Sequence, residues 1–313
     1  MKAIRIHTFG GPDVLAYENA PEPQLQPGEV LVRNYAAGVN PIDWKTCSGG
    51  GAAPFIGELP FIPGWEFSGE VIASGPDVTG YESGDRVFGF IRFPNRAGCY
   101  SQEIAAPADQ ISKLPSACDP VEAAGLPLAG LTAWQALFNK GGLKPKQRVL
   151  VLAAAGGVGH LAVQLAKWKG AIVTGTASPA NHDFLKQLGC DHVIDYKNTA
   201  LINALKDIDL IIDGVGGDTA IEALGCLKQG GVMVTLPSVT KDEVISAGES
   251  LGHTVLPIRA EPSSKELSEL AELLATKTLK LSVAATYPIE NTAQAFEDVA
   301  SGHTRGKVIL TIS

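Results

Sequence analysis

Residues 149–167 restrict the possible folds more than any other stretch of the chain. Val149-Leu-Val-Leu-Ala is a continuous apolar run, as expected of a strand buried on both faces. It passes through Ala153-Ala-Ala-Gly-Gly-Val-Gly159 straight into a segment with Val158, Leu161, Ala162, Leu165 and Trp168 at helical spacing. A strand, a glycine turn and a helix in that order form a natural anion site. Gly156 and Gly157 let backbone approach a pyrophosphate closely, and the helix start supplies unpaired N–H donors. Gly159 then allows close packing of helix on strand. The usual first glycine is Ala153 here, so the pattern is a variant, and a glycine turn can also be purely steric.

The chain beyond this turn keeps alternating strand and helix. Ala171-Ile-Val-Thr-Gly-Thr, Ile208-Asp-Leu-Ile-Ile-Asp, Gly231-Val-Met-Val-Thr-Leu and Thr254-Val-Leu-Pro-Ile read as strands. That alternation predicts a parallel sheet wrapped by helices. The texture before Asp119-Pro120 is different. Val30-Leu-Val-Arg-Asn-Tyr-Ala, Phe67-Ser-Gly-Glu-Val-Ile-Ala and Asp85-Arg-Val-Phe-Gly-Phe are β-rich runs bounded by turn residues. Residues 264–277 form an expected surface helix with Leu267, Leu270, Leu273 and Leu274 inward. The closing strand Lys307-Val-Ile-Leu-Thr-Ile needs a partner sheet and is expected to return to the first domain. The expected division is 1–121 and 262–313 for a β domain and 122–261 for the nucleotide domain.

Bulk properties narrow the function. The 313 residues exceed one ordinary core, and the formal charge of −8 gives no reason to expect nucleic acid or an anionic membrane as partner. A local basic patch can still hide inside an acidic total. The five cysteines (Cys47, Cys99, Cys118, Cys190, Cys226) are odd in number and widely spaced, which indicates neither a disulfide framework nor a zinc ribbon. The N-terminus lacks the apolar core of a signal peptide, and no apolar run approaches the roughly 20 residues needed to span a bilayer. A cytoplasmic location is expected. His7, His160, His182, His192, His253 and His303 show no metal spacing.

The second strand of the nucleotide domain bears on which dinucleotide binds. NAD sites place an acid near its end to hold the ribose hydroxyls. Here it ends Thr174-Gly-Thr-Ala-Ser, and the first acid is Asp183, already in a helix. Ser178 can donate a hydrogen bond to a 2′-phosphate, with Asn181, His182 or Tyr196 in reach, although the loop has no Arg or Lys; Thr176 is a further expected cofactor-binding residue. NADPH is expected, with NADH the alternative.

Several further motifs follow one another along the chain. They are Ala37-Gly-Val-Asn-Pro-Ile-Asp, Pro63-Gly-Trp-Glu-Phe-Ser-Gly-Glu-Val, Gly84-Asp-Arg-Val-Phe-Gly, Leu126-Pro-Leu-Ala-Gly-Leu-Thr-Ala-Trp, the glycine turn, Val193-Ile-Asp-Tyr and Gly306-Lys-Val-Ile-Leu. Together they resemble the zinc-independent quinone oxidoreductase (zeta-crystallin-like) branch of the medium-chain dehydrogenase/reductase superfamily. The resemblance implies an α/β fold: a Rossmann doubly wound parallel sheet plus a GroES-like β domain, with the active cleft between them. It implies Asn40 beside the nicotinamide with Asp43 supporting that loop, the Thr132 hydroxyl near the carboxamide, and Lys307 near the pyrophosphate with Gly156, Gly157, Val158 and Gly159. Each role has a plainer rival. Asn40 and Asp43 can simply cap a turn around Pro41, Thr132 can be an ordinary helix residue, and Lys307 an exposed strand-edge charge.

In zinc-dependent relatives a Cys ligand stands where this chain has Asn40 and a His ligand where it has Trp65. The four-cysteine structural lobe is missing. No metal is expected, since a catalytic zinc needs three protein ligands. Without that Lewis acid, the expected reaction is hydride transfer to an already electrophilic acceptor, a quinone or α,β-unsaturated carbonyl. The alternative is an NADPH-binding redox sensor with little turnover. Trp65 either stacks on a flat acceptor or fills core. The loop Cys47-Ser-Gly-Gly-Gly-Ala-Ala-Pro-Phe lacks the Tyr that relatives often carry, so the proton is expected from solvent. Cys47 reads as a buried structural thiol or an electrophile-sensitive one. A homodimer is expected through edge strands, with Gly231–Leu236 and Thr254–Ile258 as the suitable edges.

Overall fold

The computed structural model describes all 313 residues and divides into two compact units, Met1–Leu131 with Glu261–Ser313, and Thr132–Ala260. The first boundary falls ten residues later than 121/122. Residues 122–131 stay with the first unit, where the Leu128 N–H donates to a carboxylate oxygen of Glu66 at 2.7 Å.

The first unit opens with β1 (Lys2–Arg5) and β2 (Ala16–Asn19), an antiparallel pair. Its main sheet draws on β3 (Glu29–Val39), β4 (Glu66–Ser74), β5 (Arg86–Phe90), β6 (Glu103–Pro107) and β7 (Ile111–Lys113). Alternate residues of these strands face inward. Val30, Val32, Phe67, Val71, Val87, Ile104 and Ile111 form one buried cluster, whose apolar burial drives this half of the fold.

The second unit contains β8 (Arg148–Val151), β9 (Ile172–Ala177), β10 (His192–Asp195), β11 (Ile208–Asp213), β12 (Leu227–Thr235) and β13 (Thr254–Pro257). All pair parallel in the order β10-β9-β8-β11-β12-β13. This is the 3-2-1-4-5-6 order of the doubly wound dinucleotide fold, whose ligands sit at the carboxyl ends of the strands. Val149, Leu150 and Val151 are wholly buried, so the unbroken apolar run reflects cover on both faces. Only one of the two strands named above as edges is an edge. β12 is interior, hydrogen-bonded to β11 on one side and β13 on the other.

The chain then re-enters the first unit. The helix Ser264–Ala275 starts on Ser263, whose side chain accepts the Glu266 N–H, and buries Leu267 and Leu270. Leu273 and Leu274 are only half-buried. Next come β14 (Val283–Pro288) and β15 (Lys307–Thr311). β15 lies parallel to β14 and antiparallel to β3, pairing Ile309 with Gly38, so the tail does complete the first sheet.

Candidate active site

In the first unit, β3 ends at Val39 and the chain turns at once into the short helix Pro41–Cys47. Pro41 fits the first helical position, where no N–H is needed. Asp43 accepts the Asn40 N–H at 2.7 Å, the reciprocal half of a capping box. The same Asp43 oxygen takes the Tyr100 hydroxyl at 2.9 Å. Asp43 therefore does cap the turn, and it is fully buried while doing so. Its other oxygen, Oδ1, has no hydrogen-bond partner. Burial pushes the Asp43 carboxyl up to about 7, against the opposing bonds from Asn40 and Tyr100. Burial also pushes the Tyr100 phenol up, and neighbouring Asp43 adds to the shift.

The Asn40 side chain is held at both ends. Its Oδ1 accepts from Lys307 Nζ at 2.5 Å, and its Nδ2 donates to Glu66 Oε1 at 2.7 Å. Lys307 also donates to Glu66 Oε1 at 2.9 Å and to the Val39 carbonyl at 3.2 Å. Those three acceptors match the three donors of an ammonium. Lys307 is therefore not an exposed strand-edge charge: its side chain is 3% exposed within this cluster and that of Glu66 0%. Gly38 makes room for the carboxylate. A Cβ there would stand 2.1 Å from Glu66 Oε1 and 2.9 Å from the Ala124 carbonyl.

Glu66 and Tyr100 complete the cluster and escaped the sequence reading. A signal for Glu66 exists: a charged residue inside an apolar strand is rarely fully buried without a partner. Lys307, opening the other charge-poor strand, was the available counter-charge.

Trp65 settles as core. It is wholly buried, its indole N–H donates to the Asn95 carbonyl at 2.7 Å, and its ring meets Phe93 edge-on at 5.5 Å. Cys47 is buried, and burial pushes its thiol well up, away from the reactive thiolate. All five cysteines are free.

In the second unit, β8 runs into the glycine turn and on into the helix Gly159–Trp168. Ala153, in place of the first glycine, adopts φ +51°, a left-handed conformation glycine would take more easily. Thr176 stabilises the turn from β9: its hydroxyl accepts the Ala153 N–H at 3.2 Å and its carbonyl the Ala154 N–H at 3.0 Å. Gly159 has no room for a side chain, since a Cβ would lie 2.3 Å from the Ala153 carbonyl oxygen. Gly156, Gly157 and Val158 are half-buried at the mouth of the turn. Ser178 follows β9 and receives an Asn181 amide at 3.4 Å. β10 pairs Asp195 with Ala177, which places Tyr196, 49% exposed, beside Ser178 in register. Asp195 closes the third strand of the sheet, β10. Its carboxylate accepts the Lys197 N–H at 3.0 Å and the Asn198 amide at 2.6 Å. Thr132 is half-buried in the helix Pro127–Trp134.

The structure thus joins Asn40, Asp43 and Lys307 in the first unit and the glycine turn with Thr176 in the second. The second set fits a dinucleotide, because the backbone at Gly159 forms a close-packed turn at the carboxyl end of the central strand. No group of three or more His, Cys, Asp or Glu side chains is arranged to hold a metal ion.

Comparison with known proteins agrees with this geometry. Residues 26–116 match the family described as "Alcohol dehydrogenase GroES-like domain" and residues 188–310 that described as "Zinc-binding dehydrogenase". The chain is 32% identical, over 100% of its length and 91% of the relative's, to "NAD(P)H oxidoreductase RTN4IP1, mitochondrial" of Danio rerio. It superposes on the quinone oxidoreductase from Coxiella burnetii with a TM-score of 0.96 at 38% identity, covering 100% of this chain and 99% of that one. For the Escherichia coli quinone oxidoreductase complexed with NADPH the TM-score is 0.87 at 29% identity, over 99% and 100% of the two chains. The first of these relatives is a mitochondrial protein by name, which overturns the cytoplasmic placement expected above. Free thiols and an acidic balance report a compartment's redox state and the protein's solubility, and do not specify its address. No helix of the chain is long and apolar enough to cross a membrane. With this fold, this glycine turn and neither zinc ligand in place, the chain belongs to the zinc-independent quinone oxidoreductase branch of the medium-chain dehydrogenase/reductase superfamily.

Proposed function

We propose that the chain reduces quinones and α,β-unsaturated carbonyls at the expense of NADPH, without a metal ion. The observation that carries this reading is the Asn40–Glu66–Lys307 cluster. Where zinc-dependent relatives place a Cys and a His, this chain has an amide and an indole, and the neighbouring carboxylate is already neutralised by an ammonium. That set supplies no Lewis acid, so the acceptor must bring its own electrophilic carbon.

The chain's residues then have distinct tasks. Gly156, Gly157, Val158 and Gly159 hold the pyrophosphate by backbone N–H, as helix starts do. Thr176 fixes the turn, and Ser178 with Tyr196 meets the 2′-phosphate end. Bound NADPH supplies the hydride. Lys307 acts as a positioning residue: with Glu66 it locks the Asn40 amide in one orientation, beside the nicotinamide. Asp43 and Tyr100 fix the same turn from behind. Thr132 hydrogen-bonds the carboxamide. The proton that completes reduction comes from water. The identity of the relatives named above, one of them complexed with NADPH, supports the reading.

The test is NADPH consumption by purified protein with a panel of quinones, enals and simple ketones. Turnover confined to the first two classes is expected, unchanged by chelator. Binding of NADPH without turnover on any acceptor would leave a redox sensor as the better description. Ser178→Ala is expected to narrow the NADPH-over-NADH preference about fivefold, the worth of one hydrogen bond. The second unit is also proposed to pair with its copy through the exposed edge of β13, and a monomeric sedimentation mass would exclude that.

A further inference from the structure

We infer that the second unit carries a second binding site, for a small planar aromatic anion, at the end of the helix Gly159–Trp168 remote from the glycine turn. At about 1.5 Å per residue, Trp168 lies roughly 14 Å along that helix from Gly159, so this site is separate from the dinucleotide turn.

The site is a cavity of about 400 Å³ lined by Trp134, Phe138, Leu143, Lys144, Trp168 and Lys169. That volume falls within the range of about 300–1,000 Å³ usual for small-molecule sites. Its walls are aromatic. Trp134 meets Phe138 edge-on at 4.8 Å, and Trp168 lies 5.8 Å from Trp134 and 6.1 Å from Phe138. Trp168 follows the apolar stripe of its helix, in which Leu161 and Leu165 are wholly buried, yet it is itself 46% exposed. A tryptophan continuing a core stripe into an open cavity offers a face for stacking.

The backbone is unusual at the same place. Directly after Trp134, the segment Gln135–Lys140 widens into a π-helix, closed by the Gly141 N–H on the Ala136 carbonyl at 2.9 Å. Single π turns cost helix stability and concentrate where side chains are presented for function.

Charge selects the ligand. Residues 132–148 carry Lys140, Lys144, Lys146 and Arg148 and no carboxylate, in a chain of net charge −8. Lys167-Trp-Lys169 adds two more cations. Lys167 is paired with Asp191, and the nearby Asp209 is paired with Lys228. Lys144 and Lys169 line the cavity, and Lys169 lies 5.8 Å above the Phe138 ring. Aromatic walls with ammonium groups at the rim match a ligand of one or two rings bearing a carboxylate, sulfonate or phosphate.

The test uses NADPH-saturated protein titrated with 8-anilinonaphthalene-1-sulfonate, beside the uncharged analogue N-phenyl-1-naphthylamine. One sulfonate probe is expected to bind per chain and quench tryptophan emission. The uncharged analogue, and the Lys144→Glu/Lys169→Glu variant, are each expected to bind about tenfold more weakly, the effect of a few exposed charge contacts. Trp168→Ala should abolish the quenching, and both variants should keep wild-type NADPH turnover. Equal binding of the uncharged analogue would overturn the inference, leaving only an apolar patch. So would a halving of sedimentation mass in Trp168→Ala, which would make a second copy of the chain the occupant.

Discussion

Lys307 and Glu66 form a buried ion pair at 2.9 Å that ties the last strand of the chain to β4 through the side chain of Asn40. Breaking half of such a pair leaves an uncompensated buried charge and costs about 3–5 kcal/mol, whereas replacing both partners with apolar groups costs much less. Lys307→Met and Glu66→Gln are each expected to destabilise by that amount. The double variant should lose far less than the sum, measured by urea denaturation as a double-mutant cycle. Additive losses would mean the two groups do not interact.

Asp43 should make stability depend on pH in an unusual direction. Desolvation raises its folded carboxyl from 3.8 to about 7, so between those values the folded state binds more protons than the unfolded one. Stability from this group is therefore fully present below the unfolded value and falls as pH rises, by up to about 1.4 kcal/mol per pH unit, levelling off above the folded value. Asp43→Asn keeps an acceptor for the Asn40 N–H and the Tyr100 hydroxyl while removing the titration. Denaturation curves from pH 4 to 8 should show wild type losing stability relative to this variant. Parallel curves would show that Asp43 ionises normally.

Gly159→Ala should damage cofactor binding through the backbone alone. The new Cβ would meet the Ala153 carbonyl oxygen at 2.3 Å and Ala154 Cα at 2.8 Å, both main-chain atoms of the turn. Overpacking of this kind costs about 1–3 kcal/mol. The variant should bind NADPH at least tenfold more weakly while retaining its acceptor KM, by fluorescence titration and steady-state kinetics. Unchanged NADPH affinity would show that the turn does not contact the dinucleotide.

Trp65 should behave as core. Trp65→Phe removes the bond to the Asn95 carbonyl and part of the ring packed on Phe61 and Phe93, and is expected to cost about 1–3 kcal/mol with no change in quinone KM. Trp65→Ala leaves a cavity and should cost about 3–5 kcal/mol. A raised quinone KM in Trp65→Phe would instead place the indole against the acceptor.

The nucleotide half was the more legible in sequence because its signals are local. One uninterrupted segment carries strand, turn and helix, and the buried runs at Val149–Val151 and Ile208–Asp213 need only their own composition to declare themselves. β14 contains strand formers in Val-Ala-Ala-Thr-Tyr-Pro, but it is only partly buried and its two alanines and closing proline leave no apolar run to mark it. The cluster around Asn40 was half legible. Asn40 and Asp43 sit three positions apart and share a turn, whereas Lys307 is 241 positions from Glu66 and Tyr100 is 57 from Asp43. Such partners meet only through sheet pairing, which no local pattern records. The aromatic cavity was hidden for a related reason: Trp168 satisfies the helical stripe and so reads as core until its exposure is seen.

The return of β15 to β3 also has a consequence for how the protein is made. Asn40 and Glu66 are synthesised early, and Lys307 only after the whole of the second unit has been translated. Until Lys307 has been added and β15 has paired with β3, Glu66 lacks its counter-ion and the Asn40 amide lacks one of its two anchors. A prematurely terminated product therefore keeps a carboxylate that cannot be buried without cost, and quality-control proteases would meet it as an open sheet edge rather than as a finished enzyme.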